Sequence, residues 1–465
     1  MRQPPRFRLS LDQLFHLPTS TVARPSPHRL LLYCLLVFIF TFGVRFTGWY
    51  YWRAEAIEVQ SGVTANYKRL ARLFVSEGLT AFFQRGNAMS DPDLLGHPPG
   101  YPFALALIYR MFGESDTAIQ LVQLTADALA AVLLLLIAYE LMGIGVGLIA
   151  GVLAAFSPQF TWNSILLLPD TISVLPLLLA FYLIVRMPRG LSMMFLLLAG
   201  MLLGVSSLLR ANNLLLAPFL ALIIAAGLIQ GRMRITAGVV LLSGALLFIV
   251  PITVRNWIVF DRFIPLSLGA GQTLLEGIAD YDPERRFGIH ETDVEIAQME
   301  AKEFQRPDYA ETLFGPDGIE RERHRLKRGF QVIRSNPIWF AGVMVQRAGS
   351  MLRFERVPVI DAERSHATSY PQLLRIVQKT YLTAFMLPLV LIGVAALAWS
   401  RRWSTLGILS AVPFYYFIFQ SALHTEPRYI IALHYFLLVL AAVSVFLAGK
   451  AVFVLAGGKV RENSI

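Results

Sequence analysis

Residues 97–139 read HPPGYPFALALIYRMFGESDTAIQLVQLTADALAAVLLLLIAY. A proline-rich, aromatic corner opens directly into an apolar run, and a second, longer apolar run follows it. The second run, 117–139, is near the ~20 residues that a helix needs to cross the hydrocarbon core of a bilayer. Segment 102–112 is too short to cross and is predicted to be half-buried or re-entrant. The stretch therefore predicts a membrane protein with a polar site where one face of the bilayer begins.

The whole composition supports this interpretation. The chain has 465 residues, of which 55% are hydrophobic and 15% are charged, whereas an average soluble domain carries about 25% charged residues. Because lipid offers no hydrogen bonds to the backbone, the spans should be helices. We predict an all-α polytopic membrane protein with a bundle of about 10–12 transmembrane helices and two larger extracytoplasmic loops. Ten spans are predicted, at 30–48, 117–139, 144–165, 171–186, 191–209, 213–229, 236–254, 381–399, 404–420 and 429–448.

Basic residues predict the orientation, since they mark cytoplasmic ends. Residues 1–29 are predicted to be a basic cytoplasmic tail, 30–448 the membrane domain, and 449–465 a second cytoplasmic tail. Loops 49–101 and 255–380 then lie outside the inner (plasma) membrane, and loop 49–101 has helical spacing at Tyr67 that predicts an interfacial helix. The net charge of +10 follows from this topology, so no nucleic-acid partner is predicted.

Polar groups at the ends of the spans are the candidate substrate ligands. His97 and Tyr101 belong to the corner that opens the first stretch, and they either stiffen it or face a bound phosphate or hydroxyl. Arg255 and Asn256 end another span, where the arginine either snorkels or binds a phosphate with two parallel hydrogen bonds.

Two further groups lie at predicted span boundaries. Glu426 and Arg428 either pair with each other or form a functional cluster where the chain enters the membrane. Asp170 either caps a helix or turns its carboxylate to the same cavity.

Other polar residues favour structural roles or no site at all. Asp127, with Gln120 and Gln123, forms a stripe that is best explained by hydrogen bonds inside the bundle. No metal-ligand spacing and no nucleotide-binding motif is present, so neither a metal nor a cofactor is predicted. The single cysteine, Cys34, excludes a disulfide within the chain.

Several motifs in order carry a family resemblance. They are HPPGYPFALALIYRMFG at 97–113, LRAN at 209–212, PITVRNWIVFDRFIP at 251–265 and EPRY at 426–429. In this order they resemble the GT-C superfamily of membrane glycosyltransferases, close to the protein O-mannosyltransferases and the aminoarabinose transferase of lipid A (glycosyltransferase family 39-like).

The resemblance implies an inverting transferase that moves a sugar from a polyprenyl-phosphate donor to a lipid, glycan or protein acceptor outside the membrane. It also implies that His97, Arg255 and Arg428 contact phosphate or acceptor. Chemically, the reaction needs a carboxylate to activate the acceptor hydroxyl and cations to hold the leaving phosphate.

One departure concerns the catalytic base. Relatives carry an acid about four residues before the tyrosine of the interfacial helix, and this position holds Val63 when Tyr67 is that tyrosine. We predict Glu58 as the displaced base and Asp170 as a second catalytic carboxylate. A lipid-linked sugar transporter, and a catalytically silent scaffold of the same fold, are the alternative functions.

Overall fold

The computed structural model describes residues 25–187, 193–228, 233–315, 317–354 and 370–456, and every regular element within these ranges is a helix. The all-helical fold class is confirmed. Most of the predicted N-terminal tail, and residues 457–465 of the C-terminal tail, lie outside the described residues. The α-helices are α1 (Pro27–Glu58), α2 (Ser61–Ser76), α3 (Gly78–Ala81), α4 (Gly100–Phe112), α5 (Asp116–Met142), α6 (Ile144–Phe156), α7 (Pro158–Ile165), α8 (Asp170–Arg186), α9 (Met193–Leu209), α10 (Leu216–Ile223), α11 (Arg234–Phe260), α12 (Ala270–Ala279), α13 (Asp293–Glu303), α14 (Gly318–Ser335), α15 (Pro337–Ser350), α16 (Gln372–Lys379), α17 (Thr383–Trp399), α18 (Trp403–Phe419) and α19 (Ile431–Leu455).

The number of spans is smaller than predicted when it is judged by helix length and composition. In the described part of the chain, five helices are long and apolar enough to cross a membrane, or seven if two bent pairs each count as one span. One bent pair is α6 with α7, which meet at 56° where Ser157 and Pro158 break the predicted span 144–165. Helices α8 and α9 are apolar but have only 17 residues each.

The core of the bundle surrounds its last helix. The segment Pro427–Leu455 is buried over 89% of its most apolar window, although its hydropathy would suit a lipid-facing helix. Close approach is possible because small residues line the contacts. A Cβ on Gly393 of α17 would overlap the carbonyl of Leu440, so only glycine permits this helix pair to pack as it does.

A buried ion pair holds the break between α6 and α7. Arg45 and Asp127 are almost fully buried, and Arg45 Nε lies 2.6 Å from Asp127 Oδ2. The guanidinium also donates to the carbonyls of Ala154 and Ala155, which end α6, at 2.7 and 2.6 Å. Tyr435 donates to the other carboxylate oxygen of Asp127 at 2.5 Å. This arrangement, the deep pair, agrees with the structural interpretation of Asp127.

The described residues of loops 49–101 and 255–380 lie together at one end of the bundle, here called the loop face. Leu268 N donates to Leu95 O across the two loops at 2.7 Å. The predicted interfacial helix is α2, which buries Tyr67 and packs on the short α4. In the second loop, Glu300 pairs with Arg321 and Arg325, both at 2.7 Å, and all three side chains are buried. The loop face is therefore a packed structure.

Candidate functional site

Three distant segments of the chain meet at the loop face in a cluster of charged residues. Asp170 is the first residue of α8, and Arg210 directly follows the last residue of α9. Glu426, Arg428 and Tyr429 lie in and just before a 3-10 turn, Pro427–Ile430, which leads into α19. Helix ends bring these side chains to the boundary of the bundle. We call these five residues the rim cluster.

Tyr429 lies between the two arginines of the rim cluster. The guanidinium carbons of Arg210 and Arg428 lie 4.2 and 5.0 Å from the centroid of its ring. Arg428 donates to both oxygens of Glu426 at 2.8 Å, so the predicted pairing of these two residues is observed. The Tyr429 hydroxyl donates to Glu426 Oε1 at 3.1 Å. Burial alone would raise the pKa of the Glu426 carboxyl, but Arg428 outweighs it and holds that pKa below its usual range.

Arg210 has fewer polar contacts within the protein than Arg428. Its Nε lies 3.1 Å from Asp170 Oδ1, and the Arg210 side chain retains 16% exposure. No hydrogen bond joins its two terminal amino groups to any described residue, and the same holds for Nη1 of Arg428. A guanidinium carries five N–H donors in a fork that suits phosphate and carboxylate oxygens. The rim cluster therefore has free donors beside an aromatic ring.

Free acceptors surround the same cluster. Buried polar groups in proteins are normally hydrogen-bonded. Here several buried oxygens have no hydrogen-bond donor among the described residues, and they belong to Gln159, Asn163, Asp170, Thr171 and Asn212. The amide groups of three of these residues already donate to backbone carbonyls, namely Gln159 to Pro427, Asn163 to Gln159 and Asn212 to Tyr429. Their unpaired oxygens are thus fixed in orientation and suit a ligand rich in hydroxyl groups.

The corner at residues 97–102 lies beside the rim cluster. A Cβ on Gly100 would overlap the carbonyl of Leu208, so glycine lets the corner meet the end of α9 next to Arg210. The rings of His97 and Tyr67 have centroids 4.7 Å apart. Burial, followed by the charges of Arg210 and Arg428, lowers the pKa of His97 to about 4. His97 is therefore a neutral imidazole near neutral pH.

Tyr101 and the polar stripe of α5 have structural contacts. The Tyr101 hydroxyl donates to Gln123 Oε1 at 2.9 Å. Gln123 in turn donates to Leu166 O at 2.5 Å, and Gln120 donates to Ile165 O at 2.8 Å. The two glutamines of the stripe therefore donate hydrogen bonds to backbone carbonyls in the segment that leads to Asp170. A substrate contact by Tyr101 stays a prediction, and this geometry favours a positioning role.

Arg255 and Asn256 anchor the two loops to each other. Arg255 donates to Phe82 O at 2.9 Å and to Met89 O at 2.7 Å, and its guanidinium stacks on the Phe82 ring. Asn256 donates to Ile264 O and accepts from Arg255. Arg255, Asn256 and His97 line one narrow cavity. A phosphate contact by Arg255 or Asn256 stays a prediction, since their observed partners belong to the protein.

Glu58 is not brought to the rim cluster by any observed contact. It is the last residue of α1 and is exposed. Val63, at the position where relatives carry an acid, is half-buried, and the next residue, Thr64, donates to Leu167 O at 3.4 Å. Of the two predicted catalytic carboxylates, the rim cluster contains Asp170.

Arg210 and Tyr429 are the members of the rim cluster that were not singled out from the sequence. Arg210 stands in the motif LRAN and Tyr429 in the motif EPRY, so the family motifs already contained both residues. Their importance depends on a contact between residues 210 and 429 that no local pattern reveals. Within the described ranges, no group of three or more His, Cys, Asp and Glu side chains is arranged to hold a metal ion.

Comparison with known families adds an independent finding. Residues 96–257 match the model of the family described as dolichyl-phosphate-mannose-protein mannosyltransferase. The predicted resemblance to the GT-C glycosyltransferases is confirmed. The matched segment contains the 97–102 corner, Asp170, Arg210 and Arg255. No curated protein matches the chain.

Solved structures of two kinds are similar to the chain at low identity. The oligosaccharyltransferase of Archaeoglobus fulgidus in the apo form is 15% identical with a TM-score of 0.49, over 94% of this chain and 53% of that one. The oligosaccharyltransferase AglB from the same organism, in complex with an inhibitory peptide and a dolichol-phosphate, is 13% identical with a TM-score of 0.48, over 93% of this chain and 52% of that one. ArnT from Cupriavidus metallidurans bound to undecaprenyl phosphate is 12% identical with a TM-score of 0.36, over 92% and 79%. The chain thus spans about half the length of these archaeal oligosaccharyltransferases.

Proposed function

We propose that this protein is an inverting glycosyltransferase that moves a sugar from a polyprenyl-phosphate donor to a lipid, glycan or protein acceptor. The observation that carries the proposal is the pair of arginines on Tyr429, whose free amino groups face no described partner. A polyprenyl phosphate is an anion presented at a membrane surface, and the arginines lie where the bundle ends. The family description for residues 96–257 names a donor of this class.

The rim cluster has the two kinds of group that the reaction needs. In the transfer, the acceptor oxygen forms a bond to the anomeric carbon while the bond from that carbon to the phosphate oxygen breaks. The phosphate leaves with the electron pair, and Arg210 and Arg428 would stabilise its developing charge. The unpaired oxygens of Gln159, Asn163 and Asn212 would accept hydrogen bonds from sugar hydroxyls.

The proton of the acceptor hydroxyl needs a base. Asp170 is the first candidate because it lies in the rim cluster and neither of its oxygens accepts a hydrogen bond from a described residue. Its ion pair with Arg210 also orients that arginine. Glu58, which is exposed, is the second candidate. The proposal includes an inner-membrane location with a cytoplasmic N-terminus and an extracytoplasmic loop face.

Transfer in detergent tests the function. Purified protein is mixed with labelled polyprenyl-phosphate mannose and a membrane extract as the acceptor source, and release of polyprenyl phosphate is measured together with its binding to the protein. Binding and sugar transfer are expected, and transfer without two compartments excludes a pure transporter. Absence of polyprenyl-phosphate binding would refute the proposal, whereas binding without turnover on any donor would support a silent scaffold.

Two matched variants decide which carboxylate is the base. Asp170→Asn and Glu58→Gln each remove a charge while they keep the shape of the side chain. The base variant should lose transfer and keep polyprenyl-phosphate binding. Full transfer in both variants would overturn the assignment of either residue.

A further inference from the structure

The loop that carries Glu426 and Arg428 is held against the second outer loop by a set of contacts that the transfer chemistry does not explain. His424 N donates to Thr273 O of α12 at 2.8 Å. Arg347 of α15 is buried, donates to Ser421 O at 2.7 Å, and also donates to Gly277 O. A Cβ on Gly277 would lie 2.6 Å from His424 N, so α12 approaches this loop as closely as glycine allows.

The His424 side chain connects this docking contact to the rim cluster. Its Nδ1 lies 2.9 Å from Asp280 Oδ2 at the end of α12. Its Nε2 lies 4.0 Å from Glu426 Oε1, which is the oxygen that accepts from Arg428 Nη2 and from Tyr429. At 4.0 Å the contact with Glu426 is too long for a hydrogen bond and is attractive as an ion pair only when the imidazole is charged. The charged ring can therefore hold both carboxylates, whereas the neutral ring keeps only the hydrogen bond to Asp280.

We infer that His424 is a positioning residue whose charged form ties α12 to the rim cluster and thereby holds Glu426 and Arg428 in place for the phosphate. The inference rests on the proposed function, because it assigns a role within that same site. His424 itself touches neither phosphate nor sugar in this scheme. It acts through Glu426, which fixes the arginine.

The charges around His424 come from every element packed against it. Helix α12 contributes Glu276 and Asp280, α15 contributes Arg347, and the same loop contributes Glu426 and Arg428. Burial opposes the charged imidazole, but the hydrogen bond to Asp280 and the neighbouring carboxylates outweigh it, so the pKa of His424 lies above 6.5. The tie is thus complete below pH 6.5 and is lost as the pH rises through the raised pKa.

Glu276 also titrates within the pH range of the binding test described below, so it needs its own control. Its carboxylate is largely buried and accepts from Gln272 at 2.9 Å, and burial raises its pKa to about 7. When Glu276 ionises it favours the charged form of His424, which opposes the loss of the tie. Glu276→Gln should therefore keep a pH-dependent tie, with the loss moved to lower pH.

The test measures binding of polyprenyl phosphate to the full-length protein in detergent between pH 6 and 9. We expect wild-type affinity to fall about tenfold as His424 loses its proton. A tenfold loss is at the lower end of what a hydrogen bond to a charged group contributes. His424→Gln should bind weakly at pH 6 and lose this dependence on pH. His424→Lys, which stays charged, should keep tight binding at the pH where wild-type binding has fallen. The matched control is His324→Gln, because His324 also faces a carboxylate, Glu303 at 3.7 Å, away from the rim cluster.

A second variant covers the case in which His424→Gln does not fold. Asp280→Asn leaves the imidazole but removes its closest carboxylate, so the fall in binding should move to lower pH. A wild-type dependence on pH in either variant would overturn the inference.

Thermal unfolding in the same buffers separates this inference from the proposed function. If wild type binds no polyprenyl phosphate at any pH, the function fails. The tie would then still be supported if wild type is stabilised at pH 6 relative to His424→Gln and this difference vanishes at pH 9. An equal difference at both pH values would refute the tie.

Discussion

The deep pair and the rim cluster both bury charge in an apolar bundle, but they differ in how completely the charges are satisfied. Arg45 has contacts to Asp127, Thr161, Ala154 and Ala155, and Asp127 has a second donor in Tyr435. Arg210, in contrast, has one ion pair at 3.1 Å and free amino groups. Buried oxygens without donors surround the rim cluster, whereas both carboxylate oxygens of Asp127 in the deep pair accept hydrogen bonds.

This difference separates structure from function. A buried charge whose donors and acceptors are all used by the protein has nothing left for a ligand, and it fixes the packing of the helices. A site that binds phosphate and sugar must keep unused donors and acceptors, at a cost in stability.

The largest expected effect is on the deep pair. Asp127→Leu leaves Arg45 buried without its carboxylate, which should cost about 3–5 kcal/mol of stability. Thermal unfolding in detergent, or the yield of folded protein, measures the loss. A variant that unfolds like wild type would show that the deep pair does not hold the α6–α7 break. The structural role assigned to the deep pair would then be wrong.

The next largest effect is on the rim cluster. Arg210→Gln combined with Asp170→Asn removes both charges, so no unpaired buried carboxylate remains. We expect polyprenyl-phosphate binding to weaken about 10- to 100-fold, the range for hydrogen bonds to charged groups. Thermal unfolding should change little, which is opposite to the result for Asp127→Leu. Binding at wild-type strength would remove Arg210 from the proposed site.

The two regions also differ in what the sequence could predict. Glu426 and Arg428 are two residues apart, so their pairing was open to local reasoning, and the 97–102 corner was found through its composition. Arg45 and Asp127 are 82 positions apart. A hydrophobic pattern predicts the helices that carry them, but it does not predict which sides of the two helices face each other. The contacts of Arg255 were equally out of reach of a local pattern, since its carbonyl partners lie 173 and 166 positions away in the first outer loop. Helices follow from periodicity, whereas the path of a loop does not.

An intermediate effect concerns pH at the edge of the rim cluster. Because the pKa of His97 falls from 6.5 to about 4 on folding, the unfolded chain binds a proton that the folded protein does not. The stability from neutral His97 is present above pH 6.5 and is lost as the pH falls to about 4. The loss should be roughly 2 kcal/mol after a discount for partial exposure.

His97→Gln checks this by thermal unfolding between pH 7 and 4, since the variant should lose less stability on acidification than wild type. Equal losses would show that His97 is solvated and does not border the cluster. Tyr101→Phe is the matched control, because it removes a neighbouring hydrogen bond and no group that titrates between pH 4 and 7.

The smallest expected effect is the sharpest test of the distinction, because one substitution has opposite consequences in the two regions. Thr171 Oγ1 is buried beside Asp170 without a hydrogen-bond partner among the described residues, whereas Thr161 Oγ1 accepts from Arg45 at 2.9 Å in the deep pair. Thr171→Val should leave stability equal or higher and weaken binding of the sugar-bearing donor about 2- to 10-fold, as one neutral hydrogen bond would. Binding of polyprenyl phosphate alone should not change. Thr161→Val should instead cost about 1–3 kcal/mol of stability, because it leaves a buried guanidinium donor unpaired. If both variants lose stability alike, the unpaired oxygens around the rim cluster are part of the packing and the sugar binds elsewhere.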